Sequence, residues 1–353
     1  MPGKKEMLLM SSNVEKIRDF VSRNLLRREE AMEGLKPAPA HMVEGLVRDL
    51  ESPDARVSID KDPYWPKWIS PWWKMVLLHE MGMTHRIPVK TAEYLIEGIK
   101  NNYLSYFPVR EEDLPRDCDP YRDILCHCAI GTITGLFWAM GIQVKKKIPW
   151  LEDWFVKYQL PDGGYNCDEQ VYARDVPRSS FLSTLPPIEA ILYFRQNLDD
   201  RHLKVLKNGA DYLIRRHLCR SLCKGMSVIK PGWFRPVFPR YYDYDVLRGI
   251  TFLTRWAGKC NGHIPGESLE ESLTMLEFQL DEGGRIIPRH STLRKEGTLE
   301  YQGNDTWSFA QGAAVFPLLA EVSDNRKPNY YLTREWYDTL DGLRDLIENH
   351  QIT

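Results

Sequence analysis

The stretch Trp154–Asp168, WFVKYQLPDGGYNCD, decides how this chain is read. An amphipathic run ends near Gln159, the chain turns through Pro161-Asp162-Gly163-Gly164, and Tyr165 follows at once. A second copy, FQLDEGGRIIP, begins at Phe278. Both keep Q-x-x-x-G-G behind a helical run. The glycine pair supplies the positive φ that a tight turn needs, and the Gln side chain can bond backbone groups left open at the helix end.

Outward from this turn, five apolar runs recur: PWWKMVLLHEMG from Pro71, CHCAIGTITGLFWAMG from Cys126, SSFLSTLPPIEAILYF from Ser179, YDVLRGITFLTRWAG from Tyr244 and TWSFAQGAAVFPLLAEV from Thr306. Their expected helix starts, Trp73, His127, Ser180, Asp245 and Trp307, are 54, 53, 65 and 62 residues apart, the period of a helical hairpin. Between them lie more polar runs of helical periodicity, from Thr91, Ile148, Leu203, Glu267 and Thr333. Apolar inner helices alternating with amphipathic outer ones predict an all-α fold, a single α/α-toroid of about six helical hairpins. Residues 1–60, with helices from about Val14 and Met42, are expected to complete the barrel that residues 61–353 build, all as one structural domain. In a closed ring every inner helix starts at the same mouth, so the site is expected there, among free amide donors. Strands are not expected, because no long alternation of β-branched residues is present.

Charge and composition narrow the partners. With 47 basic and 49 acidic residues in 353, a net charge of −2 gives no footprint for nucleic acid. No apolar run approaches the roughly 18 residues of a membrane span, and the N-terminal apolar run is too short for a signal peptide, so a cytoplasmic protein is expected. Seven cysteines, an odd number, point to reduced thiols rather than a disulfide framework. Neither GxGxxG nor GxxxxGK[ST] occurs, which sets nucleotide-binding folds aside. The 11 Trp and 17 Tyr cluster near predicted turns, where they can line a cavity for a small hydrophobic molecule. Nothing in the sequence fixes an oligomeric state.

WPKWISPWW, CHCAIG, YQLPDGGYNCD, SSFLSTLPPIEAIL and YYDYDVLRGI follow one another from about Asp62 onward. With the Q-x-x-x-G-G turns they resemble the QW-type repeats of the terpenoid cyclase and protein prenyltransferase superfamily, notably bacterial squalene-cyclase-like proteins. The resemblance implies an α/α-toroid and a lyase or isomerase working on an isoprenoid-like substrate in an aromatic cavity. Two family traits are altered. The D-x-D-D acid motif is reduced to Asp243-Tyr244-Asp245-Val246, and no Asp, Cys and His set matches the zinc ligands of prenyltransferases.

Asp245 is therefore the candidate general acid, with Asp243 and Tyr244 beside it, although an N-cap is an equally good use for an Asp at a helix start. His127 and Asp168 are further acid–base candidates. Trp68, Trp72, Trp73, Tyr165, Cys167, Ser180, Trp233, Tyr242, Arg248 and Trp307 are the expected lining. No cofactor and no metal are expected, because the Cys-x-Cys pair at the start of its helix points its thiols at different faces. Two long loops, Lys224–Arg240 and Arg285–Asn304 with Arg289, His290 and Arg294, are candidate lids. Two other functions fit the same fold: a carbohydrate-active hydrolase or lyase with paired carboxylates, or a toroid that only binds a ligand or protein.

Overall fold

The computed structural model describes residues 4–193, 199–288, 293 and 296–353, without the side chains of residues 4–12 and 111. Helix α1 (Lys4–Leu25) leads through α2 (Arg28–Met32) to α3 (Ala40–Glu51) and α4 (Pro53–Lys61). Ser52 caps α4 by accepting from the Ala55 amide, with Pro53 at the first helical position. Helices α5 (Pro71–Glu80) and α6 (Val89–Asn102) form the next hairpin. Then come α7 (His127–Ala139), α8 (Val144–Lys147), α9 (Trp150–Lys157) and the short α10 (Glu169–Tyr172). Helices α11 (Phe181–Tyr193) and α12 (Asp200–Arg215) precede a two-residue pairing of β1 (Arg220–Ser221) with β2 (Ser227–Val228). Helices α13 (Val246–Cys260) and α14 (Glu267–Glu277), the hairpin of β3 (Thr298–Gly303) and β4 (Thr306–Ala310), α15 (Pro317–Val322) and α16 (Tyr330–Glu348) complete the order.

The fold is an all-α toroid. Helices α5, α7, α11, α13 and α16 pack side by side as the inner ring, and α6, α12, α14 and α1 lie outside them. Between α16 and α5, the Arg334 guanidinium lies against Gly82, where a Cβ would come within 2.8 Å of it. Helices α7 and α11 approach most closely at Gly131: a Cβ there would stand 2.4 Å from the Pro187 nitrogen and 2.5 Å from the Pro186 carbonyl carbon. Pro186 and Pro187 carry no amide hydrogen, and only a glycine opposite them allows this contact.

Both Q-x-x-x-G-G turns form. In the first, Gln159 Nε2 donates to the Gly163 and Val205 carbonyls at 2.9 Å each, tying the end of α9 to α12. Only one glycine of each pair takes positive φ, Gly163 at 101° and Gly284 at 78°.

The run from Thr306 corrects the sequence reading. Trp307 stands on β4 opposite Tyr301, under the Arg122 guanidinium at 4.7 Å, and starts no inner helix. The turn joining β3 to β4 puts Asn304 and Asp305 at φ 50° and 56°, the left-handed geometry that favours hairpins and that Asn and Asp tolerate. The fifth inner helix is α16, from the run whose polarity suggested an outer one. Its apolar side, with Trp336, Leu340 and Leu343, is buried, whereas Arg334, Glu335 and Asp338 face the middle of the ring. An inner helix reads as amphipathic when the space it encloses is wet.

Candidate active chamber

The inner ring encloses a chamber of about 980 Å³. Val76, Pro186, Ala190, Phe252 and Leu346 give its wall apolar patches, and Glu80, Glu189, Arg248, Arg255, Arg334 and Glu335 give it charge. Toward the C-terminal end of the inner helices, Arg255, Lys259, Asp345 and Asn349 are exposed, so the chamber opens to solvent there. At the N-terminal end, Phe238, Arg240 and Tyr241 are buried and close it. The expected mouth is thus plugged, and the opening lies at the opposite end.

The plug is the tail of the loop expected to act as a lid. Arg240 donates from Nε to Asp245 Oδ2 at 2.7 Å, from Nη2 to Asp245 Oδ1 at 3.2 Å and from Nη1 to Glu335 Oε2 at 2.5 Å. Burial weighs against the Arg240 charge, but Asp245 and Glu335 outweigh it and hold its pKa above the ordinary value. Tyr241 stacks on Trp68 with centroids 4.6 Å apart and planes 8° from parallel. Both have left-handed backbones, φ 54° and 68°, which costs on the order of 1–3 kcal/mol for each aromatic residue. The buried Tyr241 hydroxyl has no hydrogen-bond partner among the described residues. The Arg289, His290 and Arg294 part of the other candidate lid lies outside the described residues.

Glu80, at the end of α5, accepts from the Arg240 amide at 2.7 Å and the Tyr241 amide at 2.5 Å. Burial raises its carboxyl pKa, with Arg248 and the two amides opposing. The neighbouring His79 is lowered to about 4, by burial first and then by Arg255 and Arg248, and is neutral near pH 7. Arg248 grips Glu189 at 2.6 Å and donates to the Asp243 carbonyl at 2.7 Å. Glu335 accepts from Thr251, which also meets Thr339 at 2.8 Å.

Of the site residues expected from sequence, Arg248 lines the chamber. Asp245 is fully buried behind the plug, where it caps α13 by accepting from the Arg248 amide at 2.9 Å. Tyr244 donates to the Leu218 carbonyl at 2.6 Å and packs on Trp233 and Phe181. Trp72 and Trp73 are core, with the Trp73 indole donating to Tyr64. Tyr242 accepts from Lys67 at 3.0 Å on the side of the plug away from the chamber. Ser180 accepts from the Ser183 amide at the start of α11, Tyr165 donates to the Phe155 carbonyl, and the exposed Asp168 caps α10. His127 sits in an aromatic cage. Its Nδ1 accepts from the Trp154 indole at 2.9 Å and its Nε2 lies 2.8 Å from the Tyr172 hydroxyl, which itself donates to the Tyr158 carbonyl. This network assigns the neutral Nε2–H tautomer, and burial lowers the pKa to about 4.

The two thiols of Cys126 and Cys128 do not diverge as expected. Cys126 is not inside α7 but at its N-cap, with extended backbone (φ −77°, ψ 159°), so its Sγ meets Cys128 Sγ at 3.0 Å instead of pointing away. Cys167, delivered by the Gly163-Gly164 turn, joins them with all three sulfurs within 4.8 Å of one another.

The chamber residues that sequence reasoning missed, Glu80, Glu189, Arg255 and Arg334, had a usable signal in three cases. Glu80, Glu189 and Arg255 are charges set inside apolar runs. A buried helix tolerates such a residue only beside a partner or a cavity.

No protein-family model and no curated protein matches the chain. In structure it is similar to the ligand-free type II terpene cyclase MstE from Scytonema, at 10% sequence identity, covering 96% of this chain and 99% of that one, with a TM-score of 0.37. A likeness at that score says nothing about chemistry. Among the described residues no helix is long and apolar enough to cross a membrane.

Proposed function

We propose that the chain is a lyase or isomerase that works by proton transfer in the central chamber, with Glu80 as the acid. The carrying observation is Glu80 itself, a chamber-wall carboxyl whose pKa burial raises and whose oxygens face two backbone amides. Protonated, it has a proton to give; ionised, it is held by those amides, so its conjugate base is stabilised without rearrangement. In an isomerisation one proton enters the substrate and another leaves it, and Glu80 ends as it began. The substrate that fits has an apolar, isoprenoid-like body for Val76, Ala190 and Phe252, and an anionic head for the chamber's Arg255 and Arg334. In an elimination the head leaves with its bonding electrons, its negative charge met by those guanidinium groups, and the proton lost from the neighbouring carbon passes to the ionised form of Glu80. A bare carbocation is less well matched, since arginines repel it.

A second reading, carbohydrate hydrolysis or elimination, is favoured by three carboxylates, Glu80, Glu189 and Glu335, around the chamber. Against it, Glu189 and Glu335 are each already paired with an arginine. The test is a turnover screen of prenyl diphosphates against oligosaccharides with wild type and Glu80→Gln. Glu80→Gln should fold with a somewhat lowered melting temperature, because Gln offers one accepting oxygen to the two plug amides, and should lose at least about a hundredfold in kcat. Full activity in that variant rejects Glu80 as the acid. Ligand-induced stabilisation without turnover would make the chamber a binding site only.

A further inference from the structure

The cysteine cluster lies outside the chamber and has no part in the proposed reaction. Three sulfurs within 4.8 Å of one another, two of them at 3.0 Å, bracket the spacing of a thiolate metal site: bonds of ~2.3 Å to a common ion put ligand sulfurs roughly 4 Å apart. We propose that Cys126, Cys128 and Cys167 form a three-thiolate site for a soft, thiophilic d10 ion, zinc(II) or copper(I).

The scaffold holds the ligands from two directions. Cys126 and Cys128 flank the first turn of α7, a helix of 13 residues. Cys167 is fixed by its amide, which donates to Ser183 Oγ at 3.1 Å on α11, and by the Tyr165 amide two residues earlier, which donates to Thr184 Oγ1 at 3.0 Å. The close contact of α7 with α11 at Gly131 locks the two halves of the site together.

The helix terminus supports ligation: Cys126 stands at the N-cap of α7, beside the positive end of that helix's dipole. His127 is no fourth ligand, because Trp154 and Tyr172 occupy both ring nitrogens. The set is therefore three sulfurs, which suits three-coordinate copper(I), or zinc(II) with a water in the remaining position. Binding is not a redox step: thiol protons leave to solvent as metal–sulfur bonds form, so uptake releases up to three protons. A Cys126–Cys128 disulfide would account for only two of the three sulfurs.

The experiment uses the full chain, reduced, stripped with chelator and kept anaerobic, titrated separately with cadmium(II), zinc(II) and copper(I). One equivalent of cadmium(II) should give a sulfur-to-metal charge-transfer band and protect Cys126, Cys128 and Cys167 from alkylation, leaving Cys223 reactive. Competition between zinc(II) and copper(I) for the protected state then identifies the ion. Cys126→Ser/Cys128→Ser/Cys167→Ser should lose the band, and Cys223→Ser should keep it. No band and no protection in wild type overturns the proposal whether or not the triple variant folds. So does a band of undiminished size in the triple variant, or a reduced protein that binds none of the ions while the oxidised one carries the disulfide. None of these readouts depends on turnover, so this site and the Glu80 reading stand or fall separately.

Discussion

Asp245→Asn tests whether the residue most expected to be catalytic is structural. Asp245 carries three loads in a fully buried setting: its Oδ1 caps α13 through the Arg248 amide, both oxygens pair with Arg240 at 2.7 and 3.2 Å, and Oδ2 accepts from the Val237 amide at 3.3 Å. Asn caps a helix about as well as Asp, so the cap survives the change and the loss is that of the ion pair. Breaking a buried pair typically costs about 3–5 kcal/mol. Arg240 keeps Glu335 as a partner at 2.5 Å, which places the expected cost near the lower end, about 3 kcal/mol. Against a total of roughly 5–15 kcal/mol this is a large fraction. The assay is urea unfolding followed by far-ultraviolet circular dichroism and tryptophan fluorescence, interpreted as a free energy only where the two transitions coincide. Arg240→Met should cost a similar amount, and the double variant much less than the sum. A change below about 1 kcal/mol with turnover abolished would refute the structural reading and return Asp245 to catalysis.

Acid should weaken the protein through His127, whose folded pKa of about 4 lies below its ordinary 6.5. Its neutral form is the one folding favours, so the contribution is complete above pH 6.5 and is lost as pH falls toward 4, by up to roughly 3 kcal/mol. Asp62 and Glu80, raised by burial, act in the opposite sense, so the readout is the difference in melting temperature between wild type and His127→Gln across pH 4–7. A difference that does not change with pH contradicts the buried-neutral assignment. Gly131→Ala should destabilise by about 2 kcal/mol or more, since the new methyl meets proline backbone at 2.4 Å. Gly135→Ala, with 3.4 Å to Ala190 Cα, should be close to neutral; equal melting temperatures for the two variants would show that the α7–α11 contact yields freely.

The ring itself was legible because hairpin period and glycine turns are local signals: Gln159 and Gly163 do in the structure what their spacing implied. The ring's last member was not, because Trp307 sits in an apolar run that the Asn304-Asp305 turn folds into a hairpin. Polarity misled at α16 for a related reason, since Arg334, Glu335 and Asp338 mark a helix facing water on either side of the ring, and one sequence cannot say which. The candidate site was misplaced by a sound premise. Inner helix starts do gather at one end, but Tyr241, Trp68 and Trp73 fill that end, a long-range packing event with no local signature.

That plug changes which end of each inner helix meets solvent. With the N-termini closed, an incoming molecule meets the C-terminal ends first, where the helix dipole is negative. Arg255 and Lys259 lie in the last turns of α13, and Arg334 lies against Gly82 just past the end of α5. Part of their role is to offset those dipoles, about 0.3–1 kcal/mol apiece at an exposed terminus. Dipole compensation does not explain why Arg255 and Arg334, from two helices, both line the chamber that Glu80 meets beneath the plug. In the reaction proposed above, an anionic substrate group held by these two arginines, with the rest of the molecule reaching Glu80, accounts for both positions at once.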